Sequence, residues 1–400
     1  MELIKLAIVF VLILILLGLR KPLWLVMLGA TFLLGALFAM PPMDFFYALF
    51  RSLSSWETWE LVLILWFIMI LEGLMSQHGY MQRMLQAMDD LFHSKKVDAV
   101  ALPMLIGFLP SAGGALFSAP IVEESVAGSP LSQEAKSIIN THFRHVMETF
   151  FPTYPGLILA AQLAQVPLFS LMLLMLPLTV FIFCAGLIFV RKVKNLPTDK
   201  EKTPFLQGIK ELFSSMWPFF LLIALIAVGQ VETWLASLIA MLALLFFLHP
   251  PLKEIPDMIR RSTKWVMLLM VFTVLAFKDI LYACGAVSNM PEIIANLPIP
   301  AYWVFSLTSL ITAVITGMEL PAISLAMPLA MAAMPEAAVL PLAGLMVASA
   351  YVGAQITPMH LCITISAHHF KANVQKAILK SMPVYVAVYA VALLLYNAIA

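Results

Sequence analysis

The chain has 400 residues, 62% of them hydrophobic and only 11% charged, with a formal net charge of +1. Soluble domains carry about 25% charged residues. A chain with less than half that share cannot clothe its surface in polar groups, which excludes an ordinary water-soluble protein and makes lipid its main solvent.

A helix needs about 20 apolar residues to span a bilayer. The sequence supplies ten such segments: roughly 3–19, 22–40, 57–76, 141–163, 167–190, 214–231, 233–249, 264–283, 338–366 and 381–399. The first reads as a transmembrane helix rather than a secretory signal, because Arg20-Lys21-Pro22 and a second apolar run stand where a cleavage site would be. Two further apolar stretches, about 97–122 and 301–334, are interrupted by Pro110-Ser111-Ala112-Gly113-Gly114 and by Thr316-Gly317-Met318-Glu319-Leu320-Pro321. Backbone broken at membrane depth survives only where protein or a water-filled cavity satisfies its freed N–H and C=O groups. Both stretches therefore read as re-entrant helical hairpins. Cys184, Cys284 and Cys362 lie far apart in apolar runs and read as small buried hydrophobes.

Lys and Arg indicate orientation, since they gather in cytoplasmic loops. With 191–213 set inside, nineteen of the 23 basic residues fall inside, only Lys5 and Arg51 fall outside, and Arg144 and Lys278 fall within the membrane. Both termini then face outward. A shift of 206 residues carries Gly79 onto Gly285, Pro152 onto Pro358 and Pro177 onto Pro383, and the hairpins coincide with a two-residue slip, Pro120 onto Pro328. Each half has five crossings, an odd number, so the second is inverted relative to the first. The expected fold is an all-α polytopic membrane protein of two inverted repeats, each with five transmembrane helices and one re-entrant hairpin. The repeats are residues 1–190 and 214–400, joined by a cytoplasmic linker, 191–213. Inverted repeats with broken helices near the midplane mark secondary transporters.

Ionisable groups inside a bilayer are costly and point to function. The densest cluster is His142-Phe143-Arg144-His145-Val146-Met147-Glu148, just before Pro152-Thr153-Tyr154-Pro155. Arg144 and His145 are candidates for an anion, and Glu148 for a proton or cation. The bland alternative is that 140–145 is the cytoplasmic end of a span holding a structural Arg144–Glu148 pair. Ser111, Gly113 and Gly114 at the first hairpin tip, and Thr316 and Gly317 at the second, suit close approach of a ligand to backbone N–H groups. Glu319, at a hairpin tip, is the second candidate for the coupling ion, unless it partners Lys278. Tyr154 and His360 correspond under the 206 shift, and Gln355 lies about one turn before His360; all three are candidates to line the cavity. Glu72 falls on Lys278, and Glu72–Lys278 or Lys278–Asp279 pairing reads as structural. There is no Walker motif, HExxH, Gly-x-Ser-x-Gly or Cys/His metal grouping. Neither an enzyme nor a nucleic-acid partner is expected, and no cofactor beyond a coupling ion, H+ or Na+.

The stretches Leu109–Pro120 and Phe143–Pro152 resemble those of domain-of-unknown-function family 401. Its members are predicted ten-helix membrane proteins within the ion-transporter superfamily of gluconate and lactate permeases and dicarboxylate symporters. The resemblance implies a homodimer in which hairpins and broken helices form a mobile transport domain against a scaffold, and a small anionic substrate coupled to sodium or protons. The tips lack the Ser-Asn-Thr signature of the dicarboxylate symporters. The function expected is ion-coupled, elevator-like transport of a small organic anion of carboxylate or sugar-acid type, with protons favoured over sodium, in the inner (plasma) membrane of a bacterium or archaeon. An intramembrane enzyme or lipid-handling protein, and a channel, remain as alternatives.

Overall fold

The structure is a computed structural model that describes residues 2–80, 82–84, 86–87, 94–108, 114–194, 205–286, 298–334 and 339–400. Helix makes up 81% of it, with no strand among the described residues. The first half runs α1 (Glu2–Gly18), α2 (Leu23–Leu37), α3 (Pro42–Ser54), α4 (Trp56–Gln77), α5 (Lys95–Gly107), α6 (Gly114–Ser125), α7 (Gln133–His145), a 3-10 turn (Val146–Thr149), α8 (Pro155–Leu163) and α9 (Leu168–Gly186). The second runs α10 (Phe205–Ala227), α11 (Thr233–Leu248), α12 (Ile255–Ser262), α13 (Trp265–Ala283), α14 (Ala301–Thr316), α15 (Glu319–Ala333), α16 (Val339–Gln355), α17 (Leu361–His369) and α18 (Val374–Ile399).

Five of these, α4, α9, α10, α13 and α18, are long and apolar enough to cross a membrane. The apolar α1, α2 and α11 are shorter, at 17, 15 and 16 residues. Exposed Ile4, Ile8, Val11 and Ile15 on α1 and Phe246 and Phe247 on α11 give the molecule an apolar exterior.

Several boundaries differ from the sequence reading, and polar helix starts are the reason. The segment read as a span over 141–163 begins instead at Gln133, where the Ser132 hydroxyl accepts from Ala135 N at 3.3 Å. Likewise α18 begins at Val374 under an Asn373 cap that accepts from Lys376 N at 2.9 Å. Helix α10 starts at Phe205, inside the stretch read as linker, and residues 195–204 lie outside the described residues. The short α3 and α12 were not anticipated. The segments read as spans 141–163 and 338–366 are each two helices separated by non-helical residues.

The order of elements recurs. Each half has two helices, a short helix, a long one, a helical pair (α5/α6, α14/α15), a broken helix (α7/α8, α16/α17) and a closing helix. The six non-glycine residues with positive φ among those described also recur: Arg20 and Gln230, Ala39 and His249, Gln165 and Lys371 end equivalent helices, with φ between 47° and 58°. That conformation is uncommon outside glycine. Packing between the halves is reciprocal as well. Helix α2 lies on α13 and α11 on α4; α6 lies on α17 and α15 on α8; α9 lies on α16 and α18 on α7. The broken helices end up innermost: Ser137–His145 of α7 and Pro341–Gln355 of α16 are buried along their whole length.

Candidate functional site

Proline breaks both inner helices. Pro155 opens α8 at its first turn, where a missing N–H costs nothing, and Pro358 lies in the gap between α16 and α17. The breaks face one another. His145, the last residue of α7, and His360, just before α17, place their Nε2 atoms 3.1 Å apart. Deeper in the same interface, Ser137 Oγ and Asn140 Nδ2 donate to Ser366 Oγ of α17 at 3.2 and 3.1 Å. Asn140, His142 and Ser366 have no exposed surface.

The first break grips the pair α5/α6. Tyr154 donates its hydroxyl to Gly107 O at the end of α5, and Thr153 Oγ1 donates to Phe108 O at 3.3 Å. Arg144 Nη1 donates to Ile106 O at 3.2 Å. Its guanidinium reaches the start of α6, where a Cβ on Gly114 would lie 2.3 Å from Nη2. Arg144 thus joins the carbonyl end of one helix to the N–H end of the next, beside a positive dipole end. The predicted Ser111 and Gly113 lie between these helices, outside the described residues.

The second break grips α14/α15. Gly317 turns the chain between them with φ +70°, and a Cβ there would lie 2.4 Å from the carbonyl carbon of Met359. Only glycine meets both demands. Thr357 Oγ1 donates to Val314 O at 2.7 Å. Thr316 spends its hydroxyl on the turn itself: Oγ1 donates to Thr312 O at 2.8 Å and accepts from Met318 N at 3.3 Å. Glu319 opens α15 and extends to the start of α8, where a Cβ on Gly156 would lie 3.1 Å from its Oε2. Its carboxyl is in hydrogen-bonding contact with that of Glu148. Glu148 Oε1 is also 3.7 Å from His145 Nε2.

Of the predicted residues, Arg144, His145, Glu148, Tyr154, Glu319 and His360 gather around the facing breaks, with Gly114 and Gly317 fitting their tips. Tyr154 feels the charge of Glu148, Arg144 and Glu319. His142 points elsewhere, with Nδ1 3.1 Å from Tyr385 Oη and Nε2 3.1 Å from Ile182 O. Lys278 pairs with Glu57 and, at 3.5 Å, with Asp279, so it is the partner of neither Glu72 nor Glu319. Glu72 instead lies near Thr153, placing the end of α4 beside the first break.

Two members of the site escaped the sequence reading. Tyr351 is fully buried one turn before Gln355, and it feels the charge of Glu148 and Glu319. The i, i+4 spacing from Gln355 was the available signal. Cys362 places its Sγ within 4.8 Å of ring nitrogens of His145 and His360, and only its place two residues after His360 hinted at that. Among the described residues, Tyr351 Oη, Gln355 Oε1 and Nε2, His360 Nδ1 and Glu319 Oε1 are buried without a hydrogen-bond partner.

Outside the predicted span, at the first turn of α7, Lys380 Nζ donates to Glu134 Oε2 at 3.0 Å. With a further bond to Ser132, this holds the Glu134 carboxyl down to about 2. A separate cavity of about 520 Å³ beside α4 and α8 is lined by Glu60, Gln162, Gln230 and Glu232 among others, and none of the predicted residues borders it.

No curated protein matches the sequence. The family described as "Protein of unknown function (DUF401)" matches residues 3–399, nearly the whole chain. The two motifs at Leu109–Pro120 and Phe143–Pro152 thus sit within a full-length match, and the chain belongs to the DUF401 family.

Proposed function

We propose that the protein is a secondary active transporter of a small organic anion, of carboxylate or sugar-acid type, coupled to an ion. The observation that carries this reading is the set of unbonded polar atoms of Tyr351, Gln355, His360 and Glu319 around the facing breaks. Buried polar groups are nearly always hydrogen-bonded, so a set left unbonded in one place suits a polar ligand that supplies the missing bonds. Arg144 and the N–H end of α6 supply positive potential for its anionic group.

The architecture proposed is two inverted repeats with α5/α6 and α14/α15 as re-entrant hairpins. The recurrence of elements, the paired positive-φ residues and the reciprocal packing support it. Transport proceeds by elevator-like alternating access in a homodimer, with both termini outside the inner membrane of a bacterium or archaeon. The coupling ion is held by Glu319 against Glu148, since two carboxyls in contact need a proton or a cation between them. A proton is favoured, because a buried carboxyl pair shares one readily.

Uptake of labelled carboxylates and sugar acids into proteoliposomes, with an imposed proton or sodium gradient, tests the reading. Accumulation driven by the proton gradient is expected. Unsaturable flux indifferent to both gradients indicates a channel, and substrate turnover without flux an enzyme; either result overturns it.

A further inference from the structure

We propose that His145, His360 and Cys362 form a binding site for a divalent transition metal of the zinc type. This goes beyond the transport reading and does not depend on it. The three side chains come from both breaks, His145 from the end of α7 and the other two from the start of α17, and one ligand atom of each lies within 4.8 Å of the others. All three are at least nine-tenths buried.

Zinc holds imidazole nitrogen at about 2.0–2.1 Å and thiolate at about 2.3 Å, which puts tetrahedral ligands roughly 3.3–3.6 Å apart. The imidazole nitrogens stand 3.1 Å apart, close to that spacing, and the thiol, within 4.8 Å of them, needs to close in by roughly 1.3 Å at most for an ion to enter. The tautomer of His145 suits it, and His360 needs only to move its proton from Nε2 to its unbonded Nδ1. His145 Nδ1 lies 2.5 Å from Thr141 O; a carbonyl only accepts, so the proton is on Nδ1 and the Nε2 lone pair faces the cluster, as in many metal sites. A bond between the rings accounts for the two histidines alone, whereas the thiol within 4.8 Å of both is the third ligand of a converging set.

Imidazole with thiolate selects zinc, cobalt or copper over magnesium and calcium. Three protein ligands leave a fourth position open, and Glu148 Oε1, 3.7 Å from His145 Nε2, is at hand to fill it. Ligands drawn from both halves mean that a bound ion clamps the two broken helices together.

The test is cobalt titration of chelator-stripped protein, followed by absorbance. One Co2+ per chain is expected, with visible bands and a near-ultraviolet thiolate-to-cobalt band, displaced by Zn2+ and unaffected by Mg2+. Cys184→Ser/Cys284→Ser leaves Cys362 as the only thiol, so persistence of the near-ultraviolet band there assigns it without altering the site. Cys362→Ser should lose that band and bind at least about tenfold to a hundredfold more weakly, the cost of losing even an outer partner of a metal ligand. Absence of stoichiometric binding, absence of the band in Cys184→Ser/Cys284→Ser, or its survival in Cys362→Ser overturns the proposal. Transport is not measured, so failure here leaves the transport reading standing.

Discussion

The guanidinium of Arg144 occupies the space that a side chain on Gly114 would need, with 2.3 Å between Nη2 and a Cβ placed there. Glycine at 114 is therefore a requirement of Arg144, and the two act as one unit at the start of α6.

From that unit comes a prediction on substrate charge. Arg144→Gln should abolish anion binding, while Arg144→Lys, which keeps charge and loses the planar fork, should weaken it about tenfold to a hundredfold, the worth of a charge-assisted bond. Gly114→Ala, which displaces the guanidinium, should behave like Arg144→Lys. Calorimetry on purified protein checks all three, and normal affinity in Arg144→Gln makes the residue structural.

The second hairpin tip gives a stability prediction. Gly317→Ala adds a Cβ at φ +70°, 2.4 Å from the carbonyl carbon of Met359; backbone cannot swing aside, so the loss should exceed about 1 kcal/mol. Gly29→Ala, on the exposed face of α2 with nothing within 4 Å, should instead gain about 0.5–1 kcal/mol. Thermal unfolding in detergent compares them, and equal midpoints would contradict the docked turn.

For coupling, Glu319→Gln keeps the shape of the side chain and removes its titration. Substrate exchange should persist while accumulation driven by a pH gradient disappears. Continued accumulation in Glu319→Gln would remove it as the coupling group.

Topology is open to labelling. A cysteine at Lys376 should react only from the cytoplasmic side and one at Arg51 only from outside, both positions being exposed. External reaction at 376 would falsify the orientation.

Glu134 predicts an acid effect. Lys380 and Ser132 depress its folded pKa to about 2 from an ordinary 4.5. A depressed carboxyl contributes stability above the unfolded value and loses it as pH falls through the folded one. Lys380→Met should therefore lower the unfolding free energy at pH 6 by less than about 1 kcal/mol, since the lysine is half exposed to water, and the difference should close between pH 4.5 and 2. A constant difference over that range would show that the lysine acts through packing.

What the sequence made legible was local. Proline at 152, 155 and 358 and glycine at 317 interrupt helices by their own backbone chemistry, so the breaks and the second tip could be located from residues alone. Starts of helices were misjudged where polar residues precede the apolar run, as at Gln133 and Val374, because hydropathy ignores caps. Partners across the halves were not legible. The 206 shift aligns His360 with Tyr154, yet in space His360 meets His145, and Lys278 meets Glu57; reciprocal packing, not repeat register, sets those pairs.

The bonds from Ser137 and Asn140 to Ser366 also set a timetable for synthesis. Their partner lies 229 and 226 residues further along the chain. At translation speeds of about 5–20 residues per second, α7 waits roughly 10–50 s with its polar face unanswered. A nascent first half is therefore a natural client for chaperoning within the membrane until α17 arrives, and a chain truncated before Ser366 should be recognised and degraded rather than retained.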